Sequence, residues 1–186
     1  MKRLFVAIKV KPDSGFIASH TRMKGCLSQS NITWVSPSVM HLTLKFLGNT
    51  DEESIETING VLAEVAGGFT PFEGCFDKLG IFGSAYQPRV IWLGTSAESG
   101  FGSLGNAVLN RLDDHGFLRD RQNFVPHITL GRIKQIENKK YFNEIISRFR
   151  DSFHLPVVAN QLGLYRSELT PSGPRYHEIS TFNIEL

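Results

Sequence analysis

Short runs of apolar and β-branched residues, separated by turn-forming residues, recur along this chain and predict a protein of mixed α and β structure. The runs predict strands at 4–10, 32–35, 40–47, 72–79, 89–94, 127–130, 155–158, 161–165 and 178–186. Apolar spacings of three and four residues predict helices at 16–26, 55–65, 102–115 and 141–149. A capping box at Thr50 and Glu53 is expected to start the second helix, residues 80–88 to form a loop, and 172–174 a hairpin turn.

The predicted elements follow the order strand, helix, strand, strand, helix, strand, and the second half of the chain loosely repeats this plan. We therefore expect an α+β fold with two pseudo-symmetric lobes of mostly antiparallel sheet and helices on the outside. The sequence halves are roughly 1–85 and 86–186. With 186 residues and no linker-like segment, the chain is expected to be a single bilobal domain, 1–186.

Two copies of a His-x-Thr-Leu pattern, at 41–44 and 127–130, lie in opposite halves of the sequence. Alternate residues of a strand point to opposite faces, so His41 shares a face with Thr43, and His127 shares a face with Thr129. Single short motifs arise by chance, but two matched copies are far more informative. We expect the two strands to line a central cleft that holds both histidines and both threonines.

A cleft with two imidazoles and two hydroxyls can catalyse nucleophilic displacement at the phosphorus of a phosphate ester. A neutral imidazole can take a proton from water while a protonated one gives a proton to the leaving oxygen. The hydroxyls can donate hydrogen bonds to phosphoryl oxygens as charge develops. A strained cyclic phosphate would need no metal ion. The competing interpretation is that each histidine, taken singly, is a structural residue of its strand.

Other residues near the motifs have less definite roles. Parity places Lys45 on the face of His41, where it either attracts phosphate or is a solvated rim residue. Counting alternate residues places Arg132 on the opposite face from His127, unless the strand twists or bulges after Gly131 and brings this side chain to the phosphate. Four aromatic rings could stack a base, namely those of Phe46, Phe82, Tyr86 and Trp92. Core packing is the competing role for each of them. Surface or helix-end positions are expected for the other histidines, namely His20, His115, His154 and His177.

Composition narrows the class of protein. The net charge of +2 and pI of about 8.6 allow an anionic substrate but do not suggest a long nucleic-acid track. The apolar run at the N-terminus is too short for a signal peptide or membrane span. No His/Cys spacing is typical of zinc, and we expect neither a metal nor another cofactor. Cys26 and Cys75 are expected to be reduced thiols of a cytoplasmic protein.

Beyond the two motifs, several segments resemble the two-histidine phosphoesterase superfamily, and within it the RNA 2′,3′-cyclic phosphodiesterases, also called 2′-5′ RNA ligases. The segments that carry the resemblance are 3–8, 34–35, 41–48, 88–94, 124–132, 164–167 and 173–176. The resemblance implies hydrolysis of a terminal 2′,3′-cyclic phosphate to a 2′-phosphomonoester. It also implies that His41 is the proton donor, that His127 is the proton acceptor, and that Thr43 and Thr129 hold the phosphate.

The resemblance further implies RNA ends or nucleotides with a cyclic phosphate as partners and 2′-5′ ligation as the reverse reaction. No membrane or obligate protein partner is expected, and we expect a monomer. Two alternatives stay open. One is a phosphodiesterase acting on another cyclic or 2′-5′ linked nucleotide, and the other is a catalytically silent module that binds RNA or nucleotides. Turnover and product analysis would separate them.

Overall fold

The computed structural model describes residues 1–84, 86–118, 123–170 and 173–185. Within these residues, four helices alternate with nine strands, in the order expected from the sequence. The helices are α1 (Ser14–Cys26), α2 (Ser54–Gly67), α3 (Phe101–Asp114) and α4 (Lys139–Arg148), with a short 3₁₀-helix at Pro37–Val39. The strands are β1 (Lys2–Lys9), β2 (Asn31–Trp34), β3 (His41–Thr50), β4 (Phe72–Gly83), β5 (Pro88–Thr95), β6 (His127–Gln135), β7 (Leu155–Ala159), β8 (Gln161–Thr170) and β9 (Gly173–Asn183).

The described strands form one antiparallel sheet in the order β7-β4-β5-β6-β3-β1-β8-β9, and β2 adds to the second half of β6. The two halves of this order mirror each other about the contact between β6 and β3. Strand β4, from the first half of the sequence, lies with β5 and β7, while β8 lies beside β1. The sequence halves 1–85 and 86–186 therefore exchange strands.

All four helices share one face of the sheet. Their apolar side chains merge with alternate strand residues into one buried core, represented by Val6, Met23, Ile58, Leu104 and Phe142. The opposite face carries a second, aromatic cluster around β1 and β8. The predicted α+β fold with outer helices is thus confirmed. No helix in the described part of the chain is long and apolar enough to cross a membrane.

Some local predictions were wrong. Thr50 ends β3 instead of capping α2, and the backbone N–H of Ser54 donates to Asp51 Oδ1 at 2.7 Å. Strand β4 continues to Gly83, so the segment predicted as a loop from 80 begins only after that glycine. The predicted hairpin turn lies partly outside the described residues. Cys26 and Cys75 are both free thiols.

Candidate active site

The motif strands β3 and β6 meet at a single backbone pair, Leu42 opposite Ile128. These are equivalent positions of the two motifs, so the pseudo-twofold axis that relates the two halves of the sheet passes through this pair. Both side chains are fully buried on the helix-covered face. The residues flanking each of them must then point to the other face, where the antiparallel register sets each motif's histidine against the threonine of the other. The predicted grouping of His41, Thr43, His127 and Thr129 follows from that register.

Each histidine is held by the backbone of its own strand in the same way. Nδ1 of His41 lies 2.9 Å from the carbonyl oxygen of Val39, and Nδ1 of His127 lies 2.8 Å from that of Val125. A carbonyl oxygen can only accept, so Nδ1 carries the proton and donates in both rings. Nε2 is therefore the nitrogen available for proton exchange in each histidine. The matched geometry makes both rings competent as either acid or base.

Aromatic side chains surround both imidazoles. His41 stands edge-on to Tyr176, with ring centroids 5.0 Å apart, and lies 5.0 Å from Phe5. His127 stands edge-on to Phe82 at 4.9 Å and to Trp92 at 6.1 Å. These rings exclude water from one side of each imidazole, which makes the protonated form less favourable.

The pKa of each histidine is consequently lowered. Burial is the largest cause for both His41 and His127, and the nearby Arg132 guanidinium lowers both further. The charge of His127 also lowers the pKa of His41. The hydrogen bonds to the backbone carbonyls act in the opposite direction without overcoming burial. These effects favour the neutral form of each ring, and an anion bound between the rings would favour protonation of one of them.

β3 and β6 have bulges at equivalent positions, and these bulges change which of the residues after each motif point toward the cleft. Ala7 pairs with Thr43 but Val6 pairs with Lys45, so Leu44 is an extra residue. Likewise, Trp92 pairs with Thr129 but Ile91 pairs with Gly131. An extra residue on one strand reverses the facing of everything after it.

The first bulge contradicts the expected position of Lys45. This side chain lies on the helix-covered face, is 5 % exposed, and donates from Nζ to the Leu118 carbonyl oxygen at 2.5 Å. Phe46 takes its place on the cleft face, where it is 54 % exposed and lies 6.1 Å from Phe5. Alternation along an unbroken strand could not predict that Phe46 faces the cleft and Lys45 faces the helices.

The second bulge is the condition under which Arg132 was expected to reach the phosphate. It occurs one step earlier than anticipated, between Thr129 and Gly131. The exposed Arg132 side chain thereby comes within electrostatic range of His41, His127 and Tyr176. The cleft thus contains a fixed positive charge beside two titratable imidazoles.

Sequence reasoning assigned no role in the cleft to the aromatic residues contributed by β1, β8 and β9, namely Phe5, Tyr165 and Tyr176. A usable signal was the presence of glycines inside strands, which often mark a close approach of another group. A Cβ at Gly163 would lie 2.4 Å from the Tyr165 hydroxyl, and one at Gly80 would lie 2.4 Å from Cζ2 of Trp92. These glycines let the two rings lie flat on the sheet.

The remaining candidates lie elsewhere. Tyr86 is 86 % exposed between β4 and β5. His115 and His177 are surface residues bonded to Arg111 and Glu168, and His154 contacts Cys75. His20 was expected at the surface, but it is 4 % exposed and packs against Phe16 and Trp34. Among the described residues, no group of three or more His, Cys, Asp or Glu side chains is arranged to hold a metal ion.

Comparison with known proteins gives consistent matches. A family model described as the 2′-5′ RNA ligase superfamily matches residues 12–170. The RNA 2′,3′-cyclic phosphodiesterase of Thermotoga maritima is 36% identical over 94% of this chain and 91% of its own. That of Methanothermobacter thermautotrophicus is 30% identical over 98% of both chains. The crystal structure of TT0787 of Thermus thermophilus superposes with a TM-score of 0.77, at 26% identity, covering 98% of this chain and 97% of that one. The chain belongs to the 2′-5′ RNA ligase superfamily.

Proposed function

We propose that this protein is an RNA 2′,3′-cyclic phosphodiesterase that opens a terminal cyclic phosphate to a 2′-phosphomonoester. One observation carries the proposal: two imidazoles from equivalent strands face one cleft, each with Nδ1 fixed by a backbone carbonyl and Nε2 left for proton transfer. The relatives named above carry the same activity in their names.

The proposed reaction needs one proton transfer at each histidine. His127 Nε2 takes a proton from water as the water oxygen bonds to phosphorus. The bond from phosphorus to O3′ breaks on the opposite side, and His41 Nε2 gives its proton to that oxygen. Each positioned transfer contributes about 10²–10⁴-fold to the rate. The hydroxyls of Thr43 and Thr129 donate to the non-bridging oxygens, and Arg132 offsets their growing charge.

The assignment of acid and base comes from the resemblance, and an asymmetry of the cleft supports it. The leaving oxygen belongs to the ribose, so the nucleoside must lie on the side of the acid. A hollow lies beside His41, between Phe5 and Tyr176. On the other side, Gly94 stands opposite His127, and the Trp92 indole covers that glycine. Space for a nucleoside is thus found next to His41, the proposed proton donor.

A short RNA with a terminal 2′,3′-cyclic phosphate tests the proposal. We expect conversion to the 2′-phosphate in the presence of EDTA, identified by mass and by chromatography against 2′- and 3′-phosphate standards. His41→Ala and His127→Ala should each lose about 10²–10⁴-fold in rate. The matched control is His115→Ala, a surface histidine at the end of α3, which should react like wild type. Full activity in either cleft variant would refute the assignment.

The products decide between this activity and its alternatives. Opening of the RNA end to a 3′-phosphate, or reaction only with another cyclic or 2′-5′ linked nucleotide, would replace the proposed substrate. Tight binding of nucleotides without product would favour a binding module. We propose RNA ends as the partners and a monomer acting in the cytoplasm, without cofactor. We also propose 2′-5′ ligation as the reverse reaction at the same histidines, to be sought with high concentrations of the two product ends.

A further inference from the structure

A hollow of about 140 Å³ opens beside His41 and continues the cleft along β1, β8 and β9. Its floor is made by the rings of Phe5 and Tyr165, which stack with centroids 5.5 Å apart and an interplanar angle of 26°. Tyr176 stands edge-on to Phe5 and forms a wall. Protein cavities of about 150 Å³ admit a benzene ring. The hollow therefore has the size and lining of a site for a flat aromatic group.

Two oppositely charged side chains, Lys9 and Glu178, also line the hollow. Lys9 is paired with His41 across β1 and β3, and Glu178 is paired with Tyr165 across β8 and β9. In the part of the chain that the structure describes, neither charge belongs to an ion pair. The Glu178 carboxylate is close enough to Tyr165 to add to the effect of burial in raising the pKa of that phenol. The hollow thus presents a donor-only and an acceptor-only group to an aromatic ligand.

We propose that this hollow binds the nucleobase of the reacting RNA end and favours guanine. The inference rests on the proposed function, because that function places the ribose beside His41. Guanine offers two adjacent N–H donors, at N1 and N2, to a single carboxylate, and O6 and N7 accept from an ammonium group. Adenine, cytosine and uracil each offer one donor group to Glu178. The aromatic floor binds the face of any base, whereas the two charges read its edge.

Among the described residues, the other half of the sheet has no charged side chain paired with His127 as Lys9 is paired with His41. The residue opposite His127 is Gly94, where the first half has Lys9 opposite His41. The ring of Trp92 fills the space above Gly94, since a Cβ there would lie 2.5 Å from Cζ3 of the indole. Because the base is recognised on only one side of the cleft, a substrate binds in a single orientation, although the catalytic groups are arranged symmetrically.

The test compares the 2′,3′-cyclic phosphates of guanosine, adenosine, cytidine and uridine as substrates of the full chain. We expect wild-type kcat/KM to be highest for guanosine, by about tenfold or more. Glu178→Gln keeps the shape of the side chain but can accept only one of the two guanine donors. Its loss of kcat/KM should be at least about tenfold greater for guanosine than for uridine. The matched control is Glu144→Gln on the exposed face of α4, which should retain the wild-type preference.

Equal kcat/KM for all four bases in the wild type would overturn the proposal, as would a uniform loss for all four in Glu178→Gln. If the wild type opens none of the four, the cyclic phosphodiesterase assignment fails instead. The base site is then tested separately by calorimetric titration with 2′-GMP and 2′-UMP. Tighter binding of 2′-GMP that is lost in Glu178→Gln supports it, and equal binding of the two nucleotides refutes it.

Discussion

Gly80 is the position where a single methyl group should show whether Trp92 is fixed by packing against the sheet. A Cβ at residue 80 would lie 2.4 Å from Cζ2 and 2.6 Å from Cε2 of that indole. The indole N–H has no acceptor among the described residues, so van der Waals contact determines the orientation of the ring. Gly80→Ala must therefore push the indole away from the sheet.

The displaced indole should affect both stability and the base of the proposed reaction. Overfilling a packed site costs about 1–3 kcal/mol, and for a chain of this length each kcal/mol lowers Tm by about 2–4 °C. Trp92 stacks on Phe82 with centroids 4.6 Å apart, and both rings stand edge-on to His127. A misplaced His127 should lower kcat by up to about 10²-fold, with a smaller effect on KM.

Urea unfolding and steady-state hydrolysis of a 2′,3′-cyclic nucleotide measure the two effects. The matched control is Gly60→Ala in the exposed part of α2, where a Cβ would meet nothing within 4 Å. That change should stabilise the protein by about 0.5–1 kcal/mol, as expected in a helix, and leave the rate unchanged. Adding Trp92→Phe to Gly80→Ala should recover part of the lost stability, with a coupling of about 0.5–3 kcal/mol. Wild-type stability and rate in Gly80→Ala would refute this account of the indole.

Two further predictions concern charge in the cleft. Because the pKa values of His41 and His127 are both lowered, mainly by burial, the base stays neutral to lower pH and the acid loses its proton sooner as pH rises. The profile of kcat/KM against pH should therefore be bell-shaped with its maximum below pH ~6.5, the ordinary pKa of imidazole, and a rate that only rises with pH would contradict the acid–base pair. Arg132→Met should lower kcat/KM by about 10²-fold. The control, Lys45→Met, changes the residue at the equivalent bulge that faces Leu118, and its loss of kcat/KM should be far smaller. Similar losses in both variants would contradict their assignment to opposite faces of the sheet.

The features predicted well from the sequence are those set by local periodicity. The alternation within each His-x-Thr-Leu motif correctly placed Leu42 and Ile128 in the core. The helices followed from apolar spacing, and the order of elements from both patterns together. These signals depend only on near neighbours in the chain, which a single sequence displays directly.

The features that could not be predicted depend on strand partners. A bulge exists only relative to the strand beside it, so the extra residue at Leu44 could not be read from β3 alone. The same applies to the exchange of strands between the sequence halves. The sequence assigned no role to Tyr176, which lies beside His41 only because β9 pairs with β8 and β8 with β1. Sequence patterns thus predicted the candidate reactive groups but not the surfaces that surround them.

Pseudo-symmetry supplies two equivalent imidazoles, yet the proposed reaction needs one acid and one base. The hydrogen bonds of His41 and His127 to the backbone are alike, so the difference must come from their surroundings. Those surroundings differ on the neighbouring strands, where Lys9 in β1 corresponds to Gly94 in β5. A nucleoside admitted on the side of Lys9 places its ribose oxygen next to His41 and leaves His127 for water. We therefore propose that the place where the substrate fits sets the direction of proton transfer, more than any intrinsic difference between the two histidines.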